Sequence, residues 1–181
     1  MRRAATVVFF FALAATAAAQ SERAPEYEVK AAFLYNFAKF VAWPSQAFPG
    51  PSAPLRICVF GEDPLDDALS RIVQGKTISG RAILNRSVES PAQAHTCHIL
   101  FISRSERARV QQTLACVRDL PVLTVGDSAD FLPRGGIINF VLEQDRVRFE
   151  INLAAAERQH LKISSKLLAV ARIVNVDGGG P

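Results

Sequence analysis

Three histidines, three cysteines and a few carboxylates at segment ends are the residues of this 181-residue chain best suited to chemistry. Cys97 and His98 are neighbours in the apolar run CHILFIS, so in an extended strand their side chains leave on opposite faces and cannot pair as nucleophile and base. His95 and Cys97 do share a face, and with Cys58 they would supply three ligands of a metal site. A structural bridge beside a capping or solvent-exposed histidine explains the same residues without a metal, and that is the reading adopted. Gly61 stands alone before Glu62-Asp63, and Gly135-Gly136 precede a strand. Neither has the glycine spacing that lets successive amides surround a phosphate. We therefore expect no catalytic residue, no metal and no cofactor.

The elements that must position these groups alternate between short apolar runs and helical stretches. LRICVFG (Leu55 to Gly61), CHILFIS (Cys97 to Ser103) and PVLTVGD (Pro121 to Asp127) read as buried strands, with Ala82 to Leu84 as the centre of a short one. Helices are expected over Pro64 to Val73 and Glu106 to Val117. Such runs indicate parallel strands covered on both faces. Ligands of open α/β sheets sit outside the carboxyl ends of the strands, where Asp63, Ser103, Asp127 and Ser128 all fall. Asp63, Ser103 and Asp127 are thus the candidate lining of a ligand crevice, with turn and helix-cap duty as the plainer alternative.

Before the first strand, EYEVKAAFLYNFAKFV (Glu26 to about Val41) places Tyr27, Leu34, Phe37, Ala38 and Val41 at helical spacing, with Pro25 suited to the first turn. Phe33, Tyr35 and Phe40 widen its apolar surface beyond one stripe, which motivates a homodimer or a partner groove there. After the last parallel strand the rhythm changes. IINFVLE and RVRFEIN are separated by Gln144-Asp145, the spacing of a two-residue hairpin. Val147, Phe149 and Ile151 share one of its faces and Arg146, Arg148 and Glu150 the other. Asn152 can cap a helix from Leu153, and Ser164 or Ser165 another running through Ile173. The fold expected is a small doubly wound, mostly parallel α/β sheet with an antiparallel hairpin near the C-terminus and flanking helices. Arg148, Glu150, Lys166 and Arg172 give the C-terminal region a charged edge for a partner, although a solvated face would look the same.

Composition suits one domain: 49% of residues are hydrophobic and 21% charged. Lys plus Arg number 21 against 17 Asp plus Glu, and two of those bases lie near the N-terminus, so no basic stripe remains for nucleic acid. That terminus, with Arg2-Arg3, an apolar stretch from Val7 to Leu13 and Ala17-Ala18-Ala19, reads as a signal peptide cleaved after Ala19. The apolar run is too short for a bilayer, which takes about 20 residues. We expect residues 20–176 to form one exported domain, with a disordered tail over 177–181. Export to an oxidising compartment allows any one of three bridges among Cys58, Cys97 and Cys116, and spacing does not choose between them.

The blocks YEVKAAFLYNFAKFVAWP, RICVFG, CHILFIS, PVLTVGD, GGIINFV with RVRFEIN, and LKISSKLLAVARIV together resemble the YfiR/HmsC-like exported proteins, in that family's order. The resemblance implies a periplasmic, non-enzymatic regulator. Its relatives restrain a membrane-bound diguanylate cyclase through that enzyme's periplasmic sensor domain. They are titrated away by an outer-membrane lipoprotein of the OmpA type, linking envelope or redox stress to cyclic di-GMP and biofilm. The resemblance also implies a Cys58–Cys97 bridge, with no counterpart for Cys116. His160 stands where the family usually has Gly, so a positive φ there would be strained. A periplasmic small-molecule or metal-binding sensor is the other reading. An apolar crevice lined by Asp63, Ser103 and Asp127 would favour it.

Overall fold

Alternation along the central strands divides the interior into two layers. The computed structural model describes residues 14–175. In β2 (Leu55–Phe60), Ile57 and Val59 pack with residues of α1 (Ala14–Phe40) and α2 (Leu65–Val73), whereas Cys58 and Phe60 pack with Val110, Leu114 and Phe131. The same split recurs in β5 (Ile99–Ile102), where Ile99 and Phe101 face one layer and Leu100 and Ile102 the other. A strand that is apolar at every position must be covered on both sides. Residues 1–13 of the expected leader, and 176–181, which include the whole expected tail over 177–181, lie outside the described residues. Among the described residues no helix is long and apolar enough to cross a membrane.

The eight-stranded sheet has the order β10-β8-β7-β6-β5-β2-β4-β3. Its five central strands run parallel: β4 (Arg81–Val88), β2, β5, β6 (Leu123–Gly126) and β7 (Ile138–Glu143). At one margin β3 (Thr77–Ile78) is antiparallel to β4. At the other, β8 (Arg146–Ile151) runs antiparallel to β7, and β10 (Arg172–Ile173) pairs with β8 in parallel. After β2 the chain builds β4 on one side and then β5, β6 and β7 on the other, so the order reverses between β2 and β5. A two-stranded ribbon joins β1 (Val41–Ala42) to β9 (Lys162–Ile163). This is the doubly wound, mostly parallel sheet with a hairpin and flanking helices expected from the sequence.

Several elements depart from expectation at their bounds. Helix α1 already includes Ala14, the first described residue, so Pro25 lies inside it rather than in its first turn; the alanine-rich stretch before Pro25 has high helix propensity. β4 has eight residues because its alternating burial leaves no continuous apolar run to mark its length. The segment after β5 is a 3₁₀ turn over Arg104–Arg109 before α3 (Val110–Cys116). The last helix, α5 (Ser165–Leu168), has four residues instead of reaching Ile173, since Arg172 and Ile173 pair with Glu150 and Ile151 of β8. Ser164 Oγ caps it, accepting from the Leu167 amide at 3.4 Å.

Other local signals hold. Gln144 and Asp145 both have positive φ, 50° and 59°, as a two-residue hairpin with right-handed strand twist requires. Asn152 Oδ1 accepts from the Ala155 amide at 3.1 Å at the start of α4 (Leu153–Arg158). His160 has φ 57°, and the Leu161 and His160 amides donate to the Ala156 and Glu157 carbonyls, the hydrogen-bond pair of a Schellman stop. The aromatic surplus of α1 is largely used inside the chain. Phe33 and Phe37 meet Phe149 with ring centroids 5.2 and 5.1 Å apart, and Tyr35 lies under the ammonium groups of Lys39 and Lys76.

His98 follows the same economy. Its ring stacks on Phe48 at 4.4 Å, its Nδ1 accepts from the Arg56 amide at 3.0 Å, and Nε2–H donates to the Ala47 carbonyl at 3.1 Å. Only the neutral ring can accept and donate at once, and burial holds its pKa below the usual histidine range.

Candidate functional site

The reversal of strand order between β2 and β5 opens a crevice at the carboxyl ends of the strands, where such sheets hold their sites. The segments leaving β2, β5 and β6 deliver Asp63, Ser103 and Asp127 to it. Asp63 Oδ1 accepts from the Leu65 amide at 3.0 Å, and its Oδ2 accepts from Ser103 Oγ–H at 2.9 Å. Ser103 Oγ accepts in turn from the Ser105 amide at 3.3 Å and so starts the 3₁₀ turn. Gly61 makes this close fit, with φ 95°: a Cβ there would stand 2.5 Å from Ser105 Oγ. Burial raises the pKa of Asp63 above the usual carboxylate range, with the charge of Asp127 adding to that rise.

Helix α1 closes the crevice from above with Lys30. Its side chain is 4% exposed and its Nζ donates to Asp127 Oδ2 at 2.9 Å and Glu26 Oε1 at 2.6 Å. Burial alone would lower the Lys30 pKa, but the carboxylates of Asp127 and Glu26 outweigh it and hold it above the usual value. Arg104 Nε donates to the Asp127 carbonyl at 2.8 Å. Asp127 Oδ1 is buried without a hydrogen-bond partner.

These groups form the floor of a cleft of about 1390 Å³ that continues between α1 and the tip of the β7–β8 hairpin. Tyr27, Val29 and Phe33 line it from α1, and Leu142, Arg146, Val147 and Arg148 from the hairpin, where side chains from both faces of β8 border it. The three expected crevice residues are therefore brought together, and Arg148 reaches the same cleft. Glu150 does not line it: the Arg172 guanidinium pairs with Glu150 and lies 3.0 Å from Glu143 Oε1. Lys166 is exposed on α5, outside the cleft lining. Sequence reasoning missed Lys30, although positions 27, 30, 34, 37 and 41 form one helical stripe, and a lysine inside a buried stripe was the available signal.

Cys58 and Cys97 form a disulfide with their Cα atoms 5.9 Å apart, closing a loop of 39 residues, and Cys116 is an exposed free thiol. The two cysteines do not occupy corresponding strand positions. Leu100 is the register partner of Cys58, and Cys97 ends the 3₁₀ turn before β5. His95 is exposed, with Nδ1 2.6 Å from the Ala92 carbonyl. Among the described residues no group of three His, Cys, Asp or Glu side chains is placed to hold a metal ion.

No curated protein matches the chain. Among solved structures it is similar to a conserved domain protein from Vibrio cholerae, with 13% identity and a TM-score of 0.46 over 65% of this chain and 54% of that one. It is similar to the same degree to an ABC domain in complex with L-Trp from Streptococcus pneumonia, with 10% identity and a TM-score of 0.46 over 66% of this chain and 55% of that one. The chain thus spans about half the length of each of these structures. The sequence profile of the YfiR/HmsC-like family matches residues 27–172, from the cleft wall at Tyr27 to the β10 residue Arg172. A match of that extent, over the helix, sheet and hairpin that build the cleft, places the chain in the YfiR/HmsC-like family.

Proposed function

We propose that this chain is a periplasmic, non-enzymatic regulator that represses a membrane-bound diguanylate cyclase by contact with the cyclase's periplasmic sensor domain. The family match over residues 27–172 carries this reading, because the YfiR/HmsC-like family is one of periplasmic regulators of diguanylate cyclases. The inventory of side chains agrees with it: the carboxylates and hydroxyl at the strand ends are spent on each other, on Lys30 and on backbone amides. An outer-membrane lipoprotein of the OmpA type would relieve repression by sequestering the chain, and the Cys58–Cys97 bridge offers a redox input to it. The signal peptide ending at Ala19 delivers the chain to that compartment. A homodimer through α1 is read by light scattering of the mature chain.

Deleting the gene in its native host should raise cyclic di-GMP and biofilm, and restoring the wild-type chain should lower both. Unchanged cyclic di-GMP on deletion would sink the reading. A small-molecule sensor is the second reading, favoured by the cleft that Asp63, Ser103 and Asp127 line.

A further inference from the structure

We propose that the cleft between α1 and the β7–β8 hairpin is the docking surface for the cyclase's sensor domain, and that its occupant is a segment bearing apolar side chains and paired carboxylates. The inference rests on the regulatory reading above and says where the contact is made.

Three observations carry it. Val29 and Leu142 are 42% and 54% exposed, and both line this one cleft from opposite walls. Exposed apolar groups facing each other across a groove mark a place where another surface is buried. Next, Arg146 and Arg148 line the same groove and make no ion pair among the described residues, whereas Arg172 on the adjoining strand is held by Glu143 and Glu150. They sit two residues apart on one face of β8, a spacing of about 7 Å. Carboxylates at i and i+2 of an extended segment, or i and i+4 of a helix, match that spacing, and guanidinium groups bind carboxylates two-pronged.

The third observation separates a protein segment from a small ligand. Pockets for small molecules are about 300–1,000 Å³ and fix orientation with convergent, free polar groups. This cleft is about 1390 Å³, and its polar floor is satisfied internally: Lys30 by Asp127 and Glu26, Asp63 by Ser103 and the Leu65 amide. Asp127 Oδ1, the unmet acceptor, is sealed from solvent. What the cleft offers outward is apolar surface and the two arginines, with the exposed carboxylates of Glu62 and Asp145 at its margins.

The test uses the full exported chain and the purified periplasmic sensor domain of the host's diguanylate cyclase. The double variant Arg146→Glu/Arg148→Glu should bind that domain at least about tenfold more weakly, mainly through a slower association rate, and should fail to lower cyclic di-GMP in cells. Arg86→Glu, exposed on β4 and outside the cleft lining, should bind as the parent does. Because charge reversal could disturb the hairpin, both variants are checked for unchanged melting. Independently, a photo-cross-linking residue placed at Leu142 should give an adduct with the cyclase in cells, and one at Leu84, 48% exposed on β4, should not.

Parent-like binding by the folded double variant, or an adduct from position 84 and not 142, overturns the cleft while leaving the regulatory reading in place. A small carboxylate found stoichiometrically in the periplasmic protein by native mass spectrometry, and lost in the double variant, also overturns it. If the wild-type chain neither binds the sensor domain nor changes cyclic di-GMP on deletion, the regulatory reading fails and takes this inference with it.

Discussion

The ammonium group of Lys30 and the carboxylate of Asp127 meet at 2.9 Å across 97 residues of sequence, both almost fully buried. The pair ties α1 to the end of β6 and fixes the height of one cleft wall. Removing Lys30 leaves the buried Asp127 carboxylate with the exposed Arg104 guanidinium, 3.4 Å away, as its remaining ion-pair partner among the described residues, so Lys30→Met should cost about 3 kcal/mol, the lower end for breaking a buried pair. Adding Asp127→Asn should restore more than half of that loss. Urea unfolding of the single and double variants measures both, and additive losses would contradict the pairing.

Asp63 gives a prediction of opposite character. Its pKa is raised by burial, so the folded state favours the protonated acid. The stability it contributes is fully present below the ordinary carboxylate pKa and is lost as pH rises through the raised value. Asp63→Asn keeps an acceptor for the Leu65 amide and removes the charge. The variant should equal or exceed the parent in stability at neutral pH, with the difference vanishing in acid. Greater instability of the variant at pH 7 would show that the carboxylate charge is needed.

His98 responds to acid in the reverse sense. Its pKa is lowered by burial, so its contribution is present above the ordinary histidine value and lost as pH falls through the lowered one. Protonating Nδ1 would set a proton against the Arg56 amide that now donates to it. Unfolding free energies measured from pH 7.5 to 5 should fall for the parent. They should fall less for His98→Gln, whose amide can accept and donate without titrating.

The Cys58–Cys97 bridge closes a loop of 39 residues, worth about 4 kcal/mol on the chain-entropy account. Reduction should lower stability by that order. Peptide mapping without reductant should join Cys58 to Cys97 and find Cys116 alkylated. Detection of a Cys116 bridge in periplasmic protein would contradict the arrangement.

The parallel strands were legible because apolar runs such as LRICVF and ILFI leave no solvent face, and the hairpin because Val147, Phe149 and Ile151 alternate with arginines and a glutamate. From the strands alone, the carboxyl-end rule located Asp63, Ser103 and Asp127. Lys30 was not placed, since nothing local says over which end of the sheet a preceding helix will lie. The four-residue length of α5 was equally hidden. Its continuation, Ala169 to Ile173, has acceptable helix formers, and the pairing of Arg172 and Ile173 with Glu150 and Ile151, 22 residues earlier in β8, pulls it into the sheet. Long-range pairing overrode local preference in both cases.

The turn at Gln144 and Asp145 sets the parity of everything that follows it in β8. Side chains alternate with a period of two, so inserting or deleting one residue between Glu143 and Arg146 while the ladder is kept would exchange the two faces. Phe149 and Ile151 would turn to water, and Arg148 and Glu150 would enter the aromatic layer beside Phe33 and Phe37. Length changes at this exposed tip are therefore confined to those that preserve phase, a restriction ordinary surface loops do not carry.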